Sequence, residues 1–592
     1  MDNSLWTHII CGMKNDFISI QRFGARTREK FWPLLRFVLC IVCVGGIGRA
    51  ADPQSTPVPS SPGNDDSDTS SSIRFNLTNV EVLARQLAAQ PYDNTANAIP
   101  EHCRAIAEEQ WRSISFKPGQ HLWQDTPSPF VIDLVYPGFV FDRIVKLNVV
   151  SMDGAGSVPF SADMFHTDDP ALSDKLGDVG GFAGFSVTLA AREVRPAHIP
   201  ADMECSTGIV GASHFLFSGR HASPGTYTRP AALNTALPVG EIPPYFREFW
   251  LVKPKPGDES LEFFALMDSP ALTGAFRFVL SLGTSAVTLV ESRLYRRKDA
   301  APPEKLGLAP LTSMFLFSET QNGSPGDYRP EVHNADGLLV HLSDADGGWQ
   351  WRPLANGQRL LVNSFPTGSP KGFGLMQRDT DFEHYQDLSS RYERKTSVWV
   401  EPGNDWGRGR IELVEIPASK EYHSNIMAFW VAEPPSSQPA PAAREDNADS
   451  SESPYFSCDY TVYWMPPGSS PHLLGRVKGT RMRQMSEVNE SFVEFILDFE
   501  GGELDALAQD VGLTSVVEAP EEAPLVGKTL VKNPVTGAWR LTLRFRLPQN
   551  GVLQRLLAAR EGPPVFRFKA YLKRGENLPD SLTETWVYDF VP

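Results

Sequence analysis

The chain has 592 residues, 41% of them hydrophobic and 21% charged, a composition that supports sizeable cores and, at this length, more than one domain. Its 71 acidic residues outnumber 55 basic ones, for a net charge of -16. Such a surface repels phosphate backbones and excludes nucleic acid as the natural partner, while neutral polar ligands fit it well.

The first fifty residues carry the features of an export leader. Lys14, Arg22, Arg26, Arg28, Lys30 and Arg36 make a positive region, Phe37 to Gly48 is an uncharged apolar run, and Gly48-Arg49-Ala50 presents small residues to a signal peptidase. A signal peptide over residues 1–50, cleaved after Ala50, is therefore expected. The apolar run has 12 residues, against about 20 needed to cross a bilayer, so no stable membrane span is expected once the leader is removed. The long positive region fits a translation start at Met13, and the absence of an Arg-Arg pair within the leader fits the general secretion route. Cys11, Cys40 and Cys43 lie in the leader, which leaves Cys103, Cys205 and Cys458, an odd number with no disulfide framework. The Cys40/Cys43 spacing sits inside the apolar run and reads as composition.

Residues 51–72 are rich in Pro, Ser, Asp and Gly and are expected to form a disordered tether. A second stretch of this kind, 433–453, reads as a linker and divides the chain into a large unit, 73–432, and a smaller one, 454–592. In the large unit Val80, Leu83, Ala84 and Leu87 follow helical spacing, with Thr78 or Asn79 as cap and Pro91 as stop, and Pro100–Trp111 is a second helical candidate. From Phe130 onward the pattern becomes short β-rich runs, among them Phe130–Tyr136, Phe139–Val150, Phe263–Met267, Phe276–Leu282, Thr396–Val400 and Arg410–Ile416. Many strands without intervening helices predict a mostly β protein, with a multi-sheet β-sandwich as its large domain. In the smaller unit Trp539, Leu541, Leu543, Phe545 and Leu547 alternate with Arg540, Thr542, Arg544 and Arg546, so one face is buried and the other solvated. Phe566, Phe568, Ala570 and Leu572 repeat the device, and with Tyr460–Trp464, Phe492–Phe499 and Thr585–Phe590 they predict an immunoglobulin-like β-sandwich.

No GxGxxG after a strand, Walker loop, HExxH, GxSxG or metal-spaced His/Cys cluster is present, so neither a cofactor nor a metal is expected. The densest chemistry lies in Lys371–Pro417, where Asp379, Asp381, Glu383, Asp387 and Glu401 are interleaved with Tyr385, Tyr392, Trp399 and Trp406. Carboxylates hydrogen-bond sugar hydroxyls and aromatic faces cover the apolar side of a sugar ring, so the block reads as a saccharide cleft. Each residue singly reads better as part of a charged loop with ordinary salt bridges, and the cluster as a whole reads better as the cleft.

That block resembles the family of osmoregulated periplasmic glucan biosynthesis proteins G and D. LGLAPLTSMF at Leu306–Phe315, DYRPEVHNADGL at Asp327–Leu338 and ETWVYDF at Glu584–Phe590 carry the resemblance, and GFAGF, DSPALTGAFRF and NIMAFW at Gly181, Asp268 and Asn425 extend it. The resemblance implies a periplasmic protein acting on the β-1,2-linked glucose backbone of periplasmic glucans, with some relatives forming a glycoside hydrolase family. It also implies a base at the first Asp of an HDSD string and an acid at the Asp opening a DNIVAFW string. Here those positions are Asn334 and Ser424, which do not titrate near neutrality, so an inverting carboxyl pair is lost. Asp336, two residues beyond Asn334 and on the same side of an extended segment, is the candidate replacement base. Binding without hydrolysis is the leading expectation, with Asn334, Asp336, Asp379, Asp387, Glu401 and Ser424 as polar contacts and Tyr392, Trp399 and Trp406 as apolar faces. The rivals are a glucanase or transglycosylase using rearranged carboxylates, and an envelope scaffold contacting the membrane-bound glucan synthase.

Overall fold

A computed structural model describes residues 75–189, 206–433, 454–548 and 564–592, apart from short internal stretches. The expected leader and tether, and all but the first residue of the expected linker, lie outside the described residues. Cys205 lies outside them too, while Cys103 and Cys458 are free and buried.

The chain is mostly strands, as predicted. One helix, Leu77–Ala88, opens it and buries Val80, Ala84 and Ala88. It starts two to three residues earlier than the spacing suggested, because the cap is Asn76 and neither Thr78 nor Asn79. Asn79 Oδ1 instead accepts the Asn76 backbone N–H at 2.8 Å, closing the first turn from the third helical position. Pro100–Trp111 holds two short helical segments, Glu101–Arg104 and Glu108–Arg112, rather than one helix.

Two large sheets face each other. Among the described residues ten strands, from Phe130–Val135 at one edge to Leu361–Thr367 at the other, form the first. Among the described residues the second has fourteen, from Gly154–Ser157 to Leu513–Glu518. The core between them is built from alternate inward positions such as Phe185, Phe215, Phe249, Phe263, Phe278 and Trp464. Stacked and edge-to-face aromatic contacts run through it, Phe263 against Phe278 at 4.6 Å and Phe217 against Trp464 at 5.1 Å.

A four-stranded sheet of Arg476–Glu487, Glu490–Glu500, Trp539–Leu547 and Leu525–Lys532 covers the far end of the fourteen-stranded sheet. The second core gathers Phe495, Leu541, Phe545, Phe568 and Trp586 with Leu339, Trp351, Met376 and Trp399. Trp539–Leu547 alternates buried and part-exposed as its sequence dictates, and Arg540 spends its exposed face on Asp498 at 2.7 Å. The strand Phe456–Met465 contains Tyr460–Trp464, which was expected in the smaller sandwich. It pairs instead with Ser397–Pro402 on one side and Ala286–Arg296 on the other, inside the large sheet. The chain therefore completes the large sheet after residue 454 before it builds the four-stranded one. Leu513–Glu518, Phe566–Arg574 and Thr585–Phe590 then extend that same large sheet past Trp349–Pro353. The two sandwiches share one continuous sheet.

Candidate functional site

The HNAD segment is fixed by its backbone. Val332–His333 pairs with Phe315–Phe317, Asn334 N donates to Met314 O at 2.9 Å, and Asp336 N donates to Met376 O at 2.8 Å. Side chains of opposite character leave this segment in different directions.

His333 is fully buried, and its proton state follows from its partners. Gln377 Nε2 donates to the Tyr392 carbonyl at 2.8 Å, which orients the amide so that its Oε1 faces His333 Nδ1 at 3.2 Å. His333 Nε2 faces Glu331 at 2.9 Å and Asp336 at 3.4 Å. Both ring nitrogens therefore meet acceptors, and the ring is an imidazolium. Burial alone would lower its pKa, but Asp336, Glu331 and Glu319 outweigh that and raise it to about 9.

Asp336 turns one oxygen to His333 and the other to the backbone N–H groups of Arg378 and Asp379, the latter at 2.9 Å. It lines a polar cleft with Ser318, Glu319, Arg378, Asp379, Lys478 and Thr480. Burial pushes its pKa up against the pull of His333. Burial and the neighbouring Glu331 likewise raise Glu319 to about 7, while Thr480 N donates to its Oε1 at 2.9 Å. The cleft therefore holds a carboxyl poised to exchange a proton near neutrality. Arg378 closes it from behind, stacked 3.5 Å over the Trp351 ring and bound through both terminal nitrogens to buried Glu584.

Asp379 caps this region, accepting from Asp381 N at 2.9 Å and pairing with His384. Two groups, Glu331–His333–Asp336 and Glu331–Asp379–His384, have ligand atoms within 4.8 Å of one another. In the first, His333 donates from both nitrogens and has no lone pair for a metal. In the second, burial opposes but the Asp379 contact wins, so the His384 pKa is raised and the ring tends toward its cationic form.

Asp387 belongs to a separate cluster. It accepts Ser389 N at 2.9 Å and Ser390 N at 2.8 Å, and Arg329 joins it to Asp327 and Glu421 at 2.7–2.8 Å. Burial would raise the Asp387 pKa, but the Ser390 N–H and Arg329 overcome it and hold it below the ordinary carboxylate value.

Asn334 does not share the surroundings of Asp336. Its amide donates to Gly225 O at 3.4 Å, and Gly225 is wedged between Asn334 and Lys395: a Cβ there would sit 3.2 Å from Asn334 Cβ and 3.1 Å from Lys395 Cδ. Lys395 Nζ donates to Pro224 O at 3.1 Å, and burial lowers its pKa to about 8. Ser424 precedes Asn425, whose side chain brackets Phe315 by accepting its N–H and donating to its carbonyl, each at 2.9 Å. Asn334 N binds Met314 O, so the Met314–Phe315 dipeptide is bonded to both the Asn334 segment and the residue after Ser424.

The three proposed sugar faces are covered. Tyr392 is 3% exposed, with its hydroxyl donating to Glu421 at 3.0 Å. Trp399 is 2% exposed and lies across Gly372 and Gly374, where a Cβ would come within 2.3 and 2.8 Å of its ring; its indole N–H donates to Glu401 at 3.0 Å. Trp406 packs on Trp430 and Tyr460. Glu401 is exposed on the strand Ser397–Pro402 and serves as the acceptor for Trp399.

The structure thus brings Asp336 and Asp379 together, ties the Asn334 and Ser424 segments to the same Met314–Phe315 dipeptide, and places Asp387 with Arg329. The sequence reading missed Glu319, Glu331, Arg329, Glu421 and Glu584. Arg329, Glu331 and Glu584 stand inside or at the edge of the strings DYRPEVHNADGL and ETWVYDF, which was the available signal; Glu319 had none.

The sequence profile of the periplasmic glucan biosynthesis protein family, MdoG, matches residues 75–590. The chain belongs to this family. Glucans biosynthesis protein G of Sodalis glossinidius is 36% identical over 520 residues, covering 87% of this chain and 92% of that protein. Its namesake in Ralstonia nicotianae is 35% identical over 527 residues, covering 88% and 97%. Membership carries the coarse assignment, a periplasmic protein of glucan biosynthesis. Among the described residues no helix is long and apolar enough to cross a membrane.

Proposed function

We propose that this protein binds the β-1,2-linked glucose backbone of a periplasmic glucan on the large sandwich and holds it without cleaving it. The observation that carries this reading is the attachment of both the Asn334 segment and the residue after Ser424 to the Met314–Phe315 dipeptide. The positions the family resemblance assigns to base and acid stand on segments tied to that one dipeptide, and neither side chain takes up or releases a proton near neutrality. An amide and a hydroxyl still hydrogen-bond sugar hydroxyls, so the change removes proton transfer and leaves recognition. Export through a cleaved leader would bring the chain to that substrate.

One observation favours a second reading. Asp336 and Glu319 line the same cleft, and burial with the neighbouring Glu331 raises the Glu319 pKa to about 7, so two carboxyl groups stand together there with their pKa values raised. A glucanase or transglycosylase built on this pair would cleave the glucan, and Asp336→Asn would abolish turnover. Incubating the protein with linear β-1,2-glucan while following both affinity and new reducing ends separates the two readings.

A further inference from the structure

Beside the Ser424 loop stands an aromatic ring that no part of the core uses. Tyr328 is 77% exposed. An exposed tyrosine side chain ordinarily samples several rotamers, but the hydroxyl of this one is held and the residues on either side of it are fixed. Its hydroxyl donates to Gln386 O at 3.3 Å. Asp327, before it, accepts the Arg329 backbone N–H at 3.1 Å and the guanidinium Nε at 3.0 Å. Arg329, after it, is clamped by Asp387 and Glu421. The acceptor carbonyl is fixed as well, since Gln386 sits in the left-handed region at φ 55° and ends the turn Phe382–Tyr385. Leu388, 81% exposed, adds an apolar side chain two residues on.

The polar groups around the ring are unbalanced in a way that selects a ligand. Three carboxylates surround one guanidinium, so the patch is acidic and repels anions. Glu421 uses only Oε2 for Arg329 and Tyr392, its Oε1 takes no hydrogen bond among the described residues, and its side chain is 41% exposed. Arg329, next to Tyr328 in the chain, bonds Glu421 at 2.7 Å, so a flat apolar face and an open acceptor belong to one cluster, which suits a neutral polyol that presents C–H groups on one face and hydroxyls at its rim. Rigidity matters here, because a ring already held in place loses little freedom when a ligand lands on it.

We propose that Tyr328 is the stacking platform for one glucose unit of the glucan, with Glu421 Oε1 accepting a hydroxyl of that unit. The proposal rests on the glucan-binding reading above and adds a subsite that reading does not contain. Tyr328 acts through its ring face, so the Gln386 hydrogen bond is a positioning contact.

The test is titration of the purified protein with linear β-1,2-gluco-oligosaccharides, comparing wild type with Tyr328→Ala, Tyr328→Phe and Tyr328→Trp. Tyr328→Ala is expected to weaken binding about tenfold, a size typical of losing one well-packed ring contact. Tyr328→Phe and Tyr328→Trp keep a face and are expected to bind within about threefold of wild type. Wild-type binding with unchanged affinity in Tyr328→Ala overturns the subsite alone and gives the ring to a protein contact. Equal losses in all three variants also overturn it, because they would show that the hydroxyl rather than the face matters. No affinity in the wild type removes the glucan-binding reading itself.

Discussion

Glu584→Gln tests how the two sandwiches brace the cleft. Glu584 is fully buried, and its four contacts leave no oxygen idle: Arg378 at 2.6 and 2.8 Å, Val477 N at 2.8 Å and His472 Nε2 at 2.9 Å. Burial by itself would raise its pKa, but Arg378 and His472 reverse this and hold it at about 2, against an ordinary 4.5. At 1.36 kcal/mol per tenfold, that gap amounts to about 3 kcal/mol. Breaking a buried pair by removing one partner costs about 3–5 kcal/mol, so the two routes agree. The folded-state pKa lies below the unfolded one, so this contribution is present above about pH 4.5 and is lost as pH falls toward 2. Denaturant unfolding of wild type and variant at pH 7 and pH 3 reads it directly. The variant should be less stable by about 3 kcal/mol at pH 7, with the gap closing on the acid side. A gap under about 1 kcal/mol at pH 7, the size of an ordinary surface pair, or one that stays constant to pH 3, would refute the reasoning.

His333 predicts the opposite pH limb. Its folded pKa of about 9 lies above the ordinary 6.5, so it contributes stability that is complete below about pH 6.5 and lost as pH rises through 9. The difference in unfolding midpoint between wild type and His333→Gln should shrink between pH 6.5 and 10, and a constant difference would mean that the ring is neutral. Trp399→Ala should cost about 3–5 kcal/mol of stability, as for other fully buried aromatics, with glucan affinity of the folded protein unchanged. A selective loss of affinity without destabilisation would return Trp399 to the binding site.

How far the sequence could be read depended on whether the deciding contact was local. Trp539–Leu547 was legible because its alternation records a strand with one wet face, and its burial follows residue by residue. Phe456–Met465 alternates just as clearly, yet alternation does not name a strand's neighbours, and its partners lie on chain segments far removed in sequence. The same limit applied to the aromatics. A Trp between glycine-rich and β-rich runs looks alike whether it lines a cleft or, as Trp399 does, fills the space that Gly372 and Gly374 leave open. Asp379 was found because it sits in a carboxylate-rich block and Asp336 because it lies two residues beyond Asn334, whereas Glu584 meets Arg378 across 206 residues and Glu319 reaches the cleft of Asp336 only through the fold. Asn334 and Asp336, though two residues apart, diverge because the segment between the strands Val332–His333 and Gly337–His341 is bonded to Met314 on one side and Met376 on the other.

The central claim is retention of glucan without cleavage, and a single incubation addresses it. Purified protein mixed with linear β-1,2-glucan, sampled for bound ligand and for reducing ends, should show saturable binding with chain length unchanged over time. Reducing ends that accumulate with wild type and vanish in Asp336→Asn would contradict it, and would assign the chemistry to the Asp336–Glu319 cleft.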